Sequence, residues 1–316
     1  MEESRRSGRR RADLLHQKLS SVSDSGQGAG SDFGPNAVRA AGSAASGWGH
    51  RDLRTRDVRT HDRGPATTVI RVTAPAWPDL MALPGVAEAV ASARSAIEDV
   101  HRHPANRRGW PRTSAAASVR AARASAVLDG GSGEIDSTAQ SVTDPVLAGA
   151  LRVAAAVGTL VPVWERAPLQ ALARLHTLAA ADLTNGALLG RPIADGPDGR
   201  DSTARLASLA QVVLAAPWPA PVLVAVVHGE VLALQPFRSA DGMVARAAAR
   251  LTMISSGLDP HGLTTPEVGH LRAGPAYSQA AAGFADGSDV GGWIISVCRA
   301  MMAGAREGSS IADAAV

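Results

Sequence analysis

Aromatic residues, cysteine and lysine are all scarce in this chain of 316 residues, and each scarcity narrows what the protein can be. Phe, Trp and Tyr make up only 3% of the sequence, although hydrophobic residues make up 45%. A core built mostly of Ala, Val and Leu favours closely packed helices over a β-sandwich. The single cysteine, Cys298, excludes an internal disulfide, and its apolar helical surroundings predict a buried thiol rather than a nucleophile. Lys18 is the only lysine among 32 basic residues, a bias that indicates a GC-rich genome rather than a function.

The sequence also lacks a convincing membrane span or targeting signal. The longest apolar stretch, 212–234, contains three prolines together with His228 and Glu230, which a membrane span seldom carries. We interpret it as a loop at 215–220 followed by a core helix. The arginine cluster at 5–11 is not followed by an apolar segment, which argues against a secretory or twin-arginine signal. We therefore expect a soluble, cytoplasmic protein with no membrane partner.

The first 65 residues differ from the rest of the chain. They are rich in Ser, Gly and Arg without a sustained apolar period, which predicts a disordered basic tail. Its twelve Lys and Arg residues against eight Asp and Glu residues give the tail a net charge of +4, compared with +3 for the whole chain. The cluster at 5–11 is a weak indication of nucleic-acid binding, and a solvated tail is the simpler interpretation.

Hydrophobic periodicity predicts an all-α fold for the remainder. Apolar residues in 84–100 recur on one helix face, and 114–128 behaves in the same way. Asp144-Pro145 predicts a helix start with the aspartate as N-cap. The stretch 186–201 is rich in Gly, Pro and Asp, and predicts a loop or hairpin.

The segment 235–246, with the sequence QPFRSADGMVAR, is the most informative part of the chain. It resembles the loop that defines Fic proteins, H-P-F-x-D/E-G-N-G-R-x-x-R, with Pro236, Phe237, Gly242 and Arg246 in register. Fic enzymes transfer a nucleoside monophosphate, usually AMP from ATP, to a hydroxyl group of a target protein. The resemblance implies an all-α Fic-like core, ATP and magnesium as possible ligands, and nucleotide contacts at Phe237, Gly242 and Arg246.

Most of the positions that do chemistry in the family's loop are substituted here. Gln235 replaces the histidine that acts as general base, and an amide has no usable basicity. Ser239 replaces the acidic magnesium ligand and is a poor ligand for a hard cation. Asp241 replaces the asparagine of the anion cradle and places negative charge where phosphate would lie. Met243 replaces the first arginine and cannot donate a hydrogen bond, so Arg246 alone keeps a phosphate-pairing role.

Three features elsewhere strengthen the resemblance. Leu175-His176 is similar to the start of a Fic core helix, and His228 lies two helical turns before Gln235, where Fic proteins often carry a histidine. The segment 277–294 is similar to the closing pair of helices of the family. His228 is either a substitute base or, as we favour, a core histidine with a satisfied hydrogen bond. Glu230 is either a surface residue or the partner of a core arginine.

The residues Ser125, Asp129 and Gly130 resemble the Fic inhibitory motif, S/T-x-x-x-E-G/N. In the family, the glutamate of this motif reaches the second arginine of the loop and blocks productive binding of the nucleotide γ-phosphate. Asp129 is one methylene shorter, and we expect it to meet Arg246 directly or through one water. A helix that simply ends at Gly130 is a compatible alternative.

These features divide the chain into four parts. They are a disordered tail at 1–65, an N-terminal helical segment at 66–150, a Fic-like core at 151–305 and a C-terminal tail at 306–316. The leading hypothesis is a Fic-like protein that is impaired for AMP transfer and retained as a binding or regulatory scaffold. The alternatives are an active nucleotidyl- or phospho-transferase with altered residues, and nucleic-acid or partner binding through the tail. No cofactor is certain, and the sequence does not identify a target protein.

Overall fold

A computed structural model of the protein describes residues 78–135, 141–194 and 201–315. The tail predicted at 1–65 lies outside these residues, as does part of the predicted loop at 186–201. Short 3-10 turns at Leu80–Ala82 and Gly186–Leu188 accompany ten α-helices. The helices are α1 (Val86–Arg102), α2 (Pro104–Leu128), α3 (Pro145–Trp164), α4 (Pro168–Ala179), α5 (Ser202–Ala215), α6 (Ala220–Leu234), α7 (Asp241–Ser255), α8 (Pro266–Ala273), α9 (Pro275–Ala285) and α10 (Val290–Asp313). No β-strand occurs among the described residues, so the predicted all-α class is confirmed.

Proline residues mark the starts of half of these helices. A proline is the first residue of α2, α3, α4, α8 and α9. Proline suits this position because its ring fixes φ near the helical value and the missing N–H would have no partner in the helix. The predicted cap of α3 is present, since the side chain of Asp144 accepts a hydrogen bond from the backbone N–H of Leu147 at 2.7 Å. The predicted loop after Ala215 is also present, and α6 begins at Ala220.

Helices α6 and α7 lie at the centre of the molecule. Every residue from Pro221 to Val231 and from Met243 to Met253 is buried. The two helices pack against each other, α6 also packs against α5, α9 and α10, and α7 also packs against α2, α3 and α4. The loop that joins them, 235–240, is therefore anchored at both ends by buried helices.

The boundaries predicted at residues 150 and 305 do not separate structural units. The first falls inside α3, and one continuous hydrophobic core extends from Leu80 to Ala305. The predicted C-terminal tail is instead part of α10, which continues to Asp313. The hydrophobic pattern does not predict this part of the helix, because it packs through glycine. A Cβ on Gly308 would lie 2.4 Å from the carbonyl oxygen of Leu263, so no larger side chain fits there. Close backbone packing thus replaces apolar side chains at this end of the fold.

Within the described residues, one helix is long and apolar enough to cross a membrane. It is α3, with a mean hydropathy of 1.9, and not the 212–234 stretch considered above. A third of its most apolar window is buried, and it packs against α2, α4 and α7. The core helix of a soluble protein has the same length and composition.

Cys298 is buried in α10, as its sequence context predicted. Burial raises the pKa of its thiol to about 12. The thiolate is therefore disfavoured, and the residue acts as a small hydrophobic side chain.

Candidate functional site

The loop that resembles the Fic motif has an unusual backbone. Gln235, Arg238 and Ala240 adopt positive φ angles of 41°, 55° and 53°, although none of them is glycine. The left-handed conformation costs a residue with a Cβ about 1–2 kcal/mol. Ala240 stands at the position where the Fic motif has its first glycine. The loop thus keeps a turn that suits glycine while carrying alanine there.

Replacing Ala240 by glycine is expected to stabilise the protein by about 0.5–1 kcal/mol, because the relief of backbone strain exceeds the extra entropy of glycine in the unfolded chain. Chemical denaturation would measure the change. The matched control is Ala245→Gly, a buried site inside α7 where the same substitution should destabilise. A loss of stability in both variants would contradict the argument.

The carboxylate of Asp241 lies at the position where the Fic resemblance implies an anion cradle. It is the first residue of α7, and its Oδ1 accepts a hydrogen bond from the backbone N–H of Phe237 at 3.0 Å. Burial raises the pKa of Asp241 to about 6, against the opposing effect of hydrogen bonds from the loop backbone, and the nearby charge of Asp129 adds to the rise. Backbone N–H groups of the loop, which the resemblance assigns to phosphate, therefore point at an internal carboxylate instead.

Replacing Asp241 by asparagine is expected to change how stability depends on pH. The folded-state pKa of about 6 lies above the ordinary value of 3.8, so the folded protein binds this proton more tightly than the unfolded chain does. Wild-type protein should therefore gain stability from this group as the pH falls from 6 towards 4, and the variant should not. The Asn variant should be the more stable protein above pH 6, and this advantage should shrink on acidification. Denaturation series at several pH values, with the exposed Asp182→Asn as control, would check this; parallel pH profiles would contradict it.

Arg246 is held by the two residues of the inhibitory-like motif that carry polar side chains. Its Nη2 donates to Asp129 Oδ1 at 2.7 Å, and its Nε donates to Ser125 Oγ at 2.9 Å. Nη2 also donates to the backbone carbonyl of Ser125 at 3.0 Å. The predicted contact between Asp129 and Arg246 is therefore present and direct. We call Ser125, Asp129 and Arg246 the clasp. Gly130 follows it with a φ of 83° at the end of α2.

Gly242 makes room for the clasp. A Cβ at this position would lie 2.5 Å from Asp129 Oδ1 and 3.1 Å from Arg246 Nη1. Any other residue would push the carboxylate away from the guanidinium. The glycine that the Fic resemblance assigned to nucleotide contact thus has a packing role in this structure.

On its other side, Arg246 borders a buried aromatic cluster. Burial alone would lower the pKa of Arg246, but Tyr277 and Asp129 raise it above its ordinary value. The Tyr277 hydroxyl lies 2.9 Å from Nε2 of His228, whose ring also contacts that of His270 edge-on. Burial, with His270 and Arg246 nearby, lowers the pKa of His228 well below its ordinary range. His228 is therefore a neutral core histidine with a hydrogen-bond partner, as favoured above.

The structure also places three other residues that were considered in the sequence. Glu230 is buried and pairs with Arg205, with 2.7 Å between Oε2 and Nη2. Gln235 lies at the C-terminal cap of α6 and is exposed. Met243 is buried beside a cavity of about 30 Å³ that is lined by Ala, Ser and Val side chains of α2 and α3 and by the charged side chains of Arg246, Arg250 and Glu267. The first arginine position of the motif therefore faces the core.

His176 holds the loop 235–240 in place, a role that was not predicted from the sequence. Its ring stacks on Phe237 with a centroid distance of 4.2 Å and an interplanar angle of 5°. Nδ1 accepts a hydrogen bond from the backbone N–H of Gly190 at 2.9 Å, so Nε2 carries the proton in the neutral ring. Nε2 lies 3.0 Å from Ser239 Oγ and donates to it. His176 therefore cannot act as a base towards Ser239 in this arrangement, and burial lowers its pKa.

Two clefts border the second half of the loop. One cleft of about 500 Å³ is lined by Leu232, Gln235, Arg238, Ser239, Ala240, Asp241 and Gly242. A second of about 300 Å³ is lined by Asp129, Val146, Leu183, Ala240, Asp241 and Gly242. In the part of the chain that the structure describes, no group of three or more His, Cys, Asp or Glu residues is placed to hold a metal ion.

Comparison with known proteins adds no relative. No protein-family model matches the chain, and no curated protein matches it. The similarity to Fic proteins therefore depends on the motif residues themselves.

Proposed function

We propose that this is a Fic-like cytoplasmic protein that is impaired for AMP transfer and retained as a binding or regulatory scaffold. The main support for the proposal is that internal carboxylates take up both groups that would bind phosphate in a Fic loop, namely the backbone N–H groups of the loop and Arg246. Asp241 accepts from the loop backbone, and Asp129 pairs with Arg246.

A nucleotide would have to overcome both carboxylates. Its phosphates would meet the charge of Asp241 at the start of α7 and would have to replace Asp129 on Arg246. The other motif positions would not compensate for this cost. Gln235 cannot act as a base, and Met243 is buried away from the cleft and cannot bind a phosphate. Loss of the reaction without loss of the fold is the outcome that these contacts support.

One observation favours the alternative of an active transferase with altered residues. Asp241 lines the larger cleft, and its pKa of about 6 is close to the value that suits a general base near neutral pH. In that case Asp241 would take the role that Gln235 cannot perform.

The test combines transfer and binding measurements on the full chain. With radiolabelled ATP and magnesium, we expect no incorporation into the protein itself or into cell lysate, and we expect Gln235→His alone not to restore it. Isothermal titration with ATP should show tighter binding to the Asp129→Ala/Asp241→Asn double variant than to wild type. The exposed Asp182→Ala is the matched control.

Three outcomes separate the hypotheses. Transfer by the wild type that is lost in Asp241→Ala would replace the scaffold proposal with the active alternative. Rescue by Gln235→His alone would mean that the anion site is intact. Equal, negligible ATP binding by all variants would remove the nucleotide from the proposal altogether.

A further inference from the structure

One nitrogen atom of the buried aromatic cluster has no partner in the described part of the protein. His228 is only 1% exposed, and no described residue forms a hydrogen bond with its Nδ1. The other ring nitrogen, Nε2, lies 2.9 Å from the Tyr277 hydroxyl. A buried polar atom without a partner destabilises the folded state, so the environment of Nδ1 requires an explanation.

The hydrogen bond between Tyr277 and Arg246 indicates which nitrogen of His228 carries the proton. A guanidinium group can only donate, so Arg246 donates to the Tyr277 oxygen. The hydroxyl proton of Tyr277 then donates to Nε2 of His228, whose ring is neutral because burial lowers its pKa. The opposite tautomer would leave both the hydroxyl proton and Nδ1 without a partner among the described residues. His228 therefore presents Nδ1–H as a buried donor.

A small cavity lies against the ring of His228. It has a volume of about 10 Å³ and is lined by residues of α6, α7, α8 and α10. Apart from the half-buried Pro266, every residue that lines it is buried. Tyr277 is not one of them, so the cavity meets the ring of His228 on a side away from Nε2. A water molecule needs roughly 10–15 Å³, so the cavity has room for one water and for no larger ligand.

Two other side chains that line the cavity can accept a hydrogen bond from a water molecule. The oxygens of Glu267 accept from Nε and Nη2 of Arg250 at 3.0 and 2.7 Å, and each carboxylate oxygen can accept a further bond. Burial and the nearby charge of Arg246 lower the pKa of His270 to about 3, so its neutral ring has one acceptor nitrogen. A buried water typically needs two to four polar partners, and His228, Glu267 and His270 supply them.

We propose that this cavity is a binding site for a single ordered water molecule. The water accepts a hydrogen bond from Nδ1–H of His228 and donates to the Glu267 carboxylate and to the ring of His270. A halide ion fits the cavity less well, because it would accept from His228 but could not donate to the carboxylate.

The water extends the hydrogen-bond network of the clasp into α8. From Arg246 the network continues through Tyr277 and His228 to the water, and beyond the water it reaches Glu267 and its partner Arg250. The site is internal and separate from the two clefts beside the loop. The proposal therefore does not depend on the chemistry of nucleotides at the loop.

A crystal structure of the full chain at a resolution that shows ordered waters would test the site directly. We expect a water peak about 2.7–3.2 Å from Nδ1 of His228. Crystals soaked in bromide should show no anomalous peak there. A cavity without a water peak would overturn the proposal, and a bromide peak would replace the water with a halide.

Nuclear magnetic resonance of the full chain, with ¹⁵N-labelled histidine, would test the donor in solution. His228 should carry its proton on Nδ1, and this proton should show cross-relaxation with a water molecule. His176 is the matched control, because its Nδ1 accepts from the N–H of Gly190 and its proton should lie on Nε2. A proton on Nε2 of His228, or on Nδ1 without cross-relaxation to water, would contradict the proposal.

A pair of substitutions tests whether the water stabilises the protein through His228. Val224 lines the cavity and is 1% exposed, so Val224→Ile adds one methylene group at the cavity wall. Displacing a hydrogen-bonded water with an apolar group should lower the melting temperature by about 2–4 °C in the wild-type background. In the His228→Phe background there is no Nδ1–H to satisfy, and the same change should have a clearly smaller effect. Equal shifts in both backgrounds, or a higher melting temperature in the wild-type background, would mean that no water is bound to His228.

Discussion

Replacing Asp129 by alanine is expected to destabilise the folded protein by about 3 kcal/mol, because it leaves a buried cation without its carboxylate. The Arg246 side chain is only 3% exposed, and that of Asp129 is 19% exposed. Ser125 would still accept from the guanidinium but cannot neutralise it. Urea denaturation followed by circular dichroism would measure the loss.

A double-mutant cycle tests whether the clasp acts as a unit. Arg246→Ala should also destabilise, and the double variant should lose less than the sum of the two single losses. The control pair is Arg152 and Asp182, whose side chains are 35% and 51% exposed although their atoms lie 2.8 Å apart. Asp182→Ala should cost under about 1 kcal/mol, since exposed pairs contribute little. Strictly additive losses at Asp129 and Arg246 would show that their contact has no energetic significance.

Replacing His176 by alanine is the second change with a large expected effect, a loss of about 3–4 kcal/mol. The ring is fully buried, and its removal leaves a cavity beside Phe237 and an unpaired N–H at Gly190. The loss should be accompanied by faster hydrogen exchange at the amide of Gly190 and in the loop 235–240, because His176 connects these two segments.

Ser239→Ala separates the two roles of this histidine. It removes only the hydrogen bond to Nε2 and should cost about 0.5–1.5 kcal/mol, with the stack on Phe237 and the bond to Gly190 retained. If Ser239→Ala is as damaging as His176→Ala, the serine hydroxyl and not the ring is what fixes the loop. If neither change affects exchange at Gly190, the proposed connection is incorrect.

Local sequence signals predicted the parts of the structure that depend on neighbouring residues. Asp144 before proline gave the start of α3, and the prolines after Ala215 gave the break before α6. The contact between Asp129 and Arg246 spans 117 residues, and it was predictable only because two motifs of one family implied it. The same resemblance predicted the negative charge of Asp241 in the loop, but not the hydrogen bond that its carboxylate accepts from the backbone N–H of Phe237.

The remaining contacts had no local signal. His176 meets Ser239 from 63 residues away, and Glu230 meets Arg205 from a different helix. Such pairs are set by helix packing, which a periodic pattern of apolar residues does not specify. The extent of α10 was missed for a related reason, because glycine packs by close backbone approach and contributes little to a hydrophobic pattern.

The position of Arg246 at the end of α2 has a consequence for that helix. The last four carbonyls of an α-helix lack partners within the helix, and Ser125 belongs to the final turn. The amide of Asp129 donates to the carbonyl of Ala126, and Arg246 donates to that of Ser125. Arg246 thus serves as a C-terminal cap for a helix to which it does not belong. Fraying of the last turn of α2 and release of the guanidinium are therefore one event, and its equilibrium sets how often this cation becomes available to any other anion.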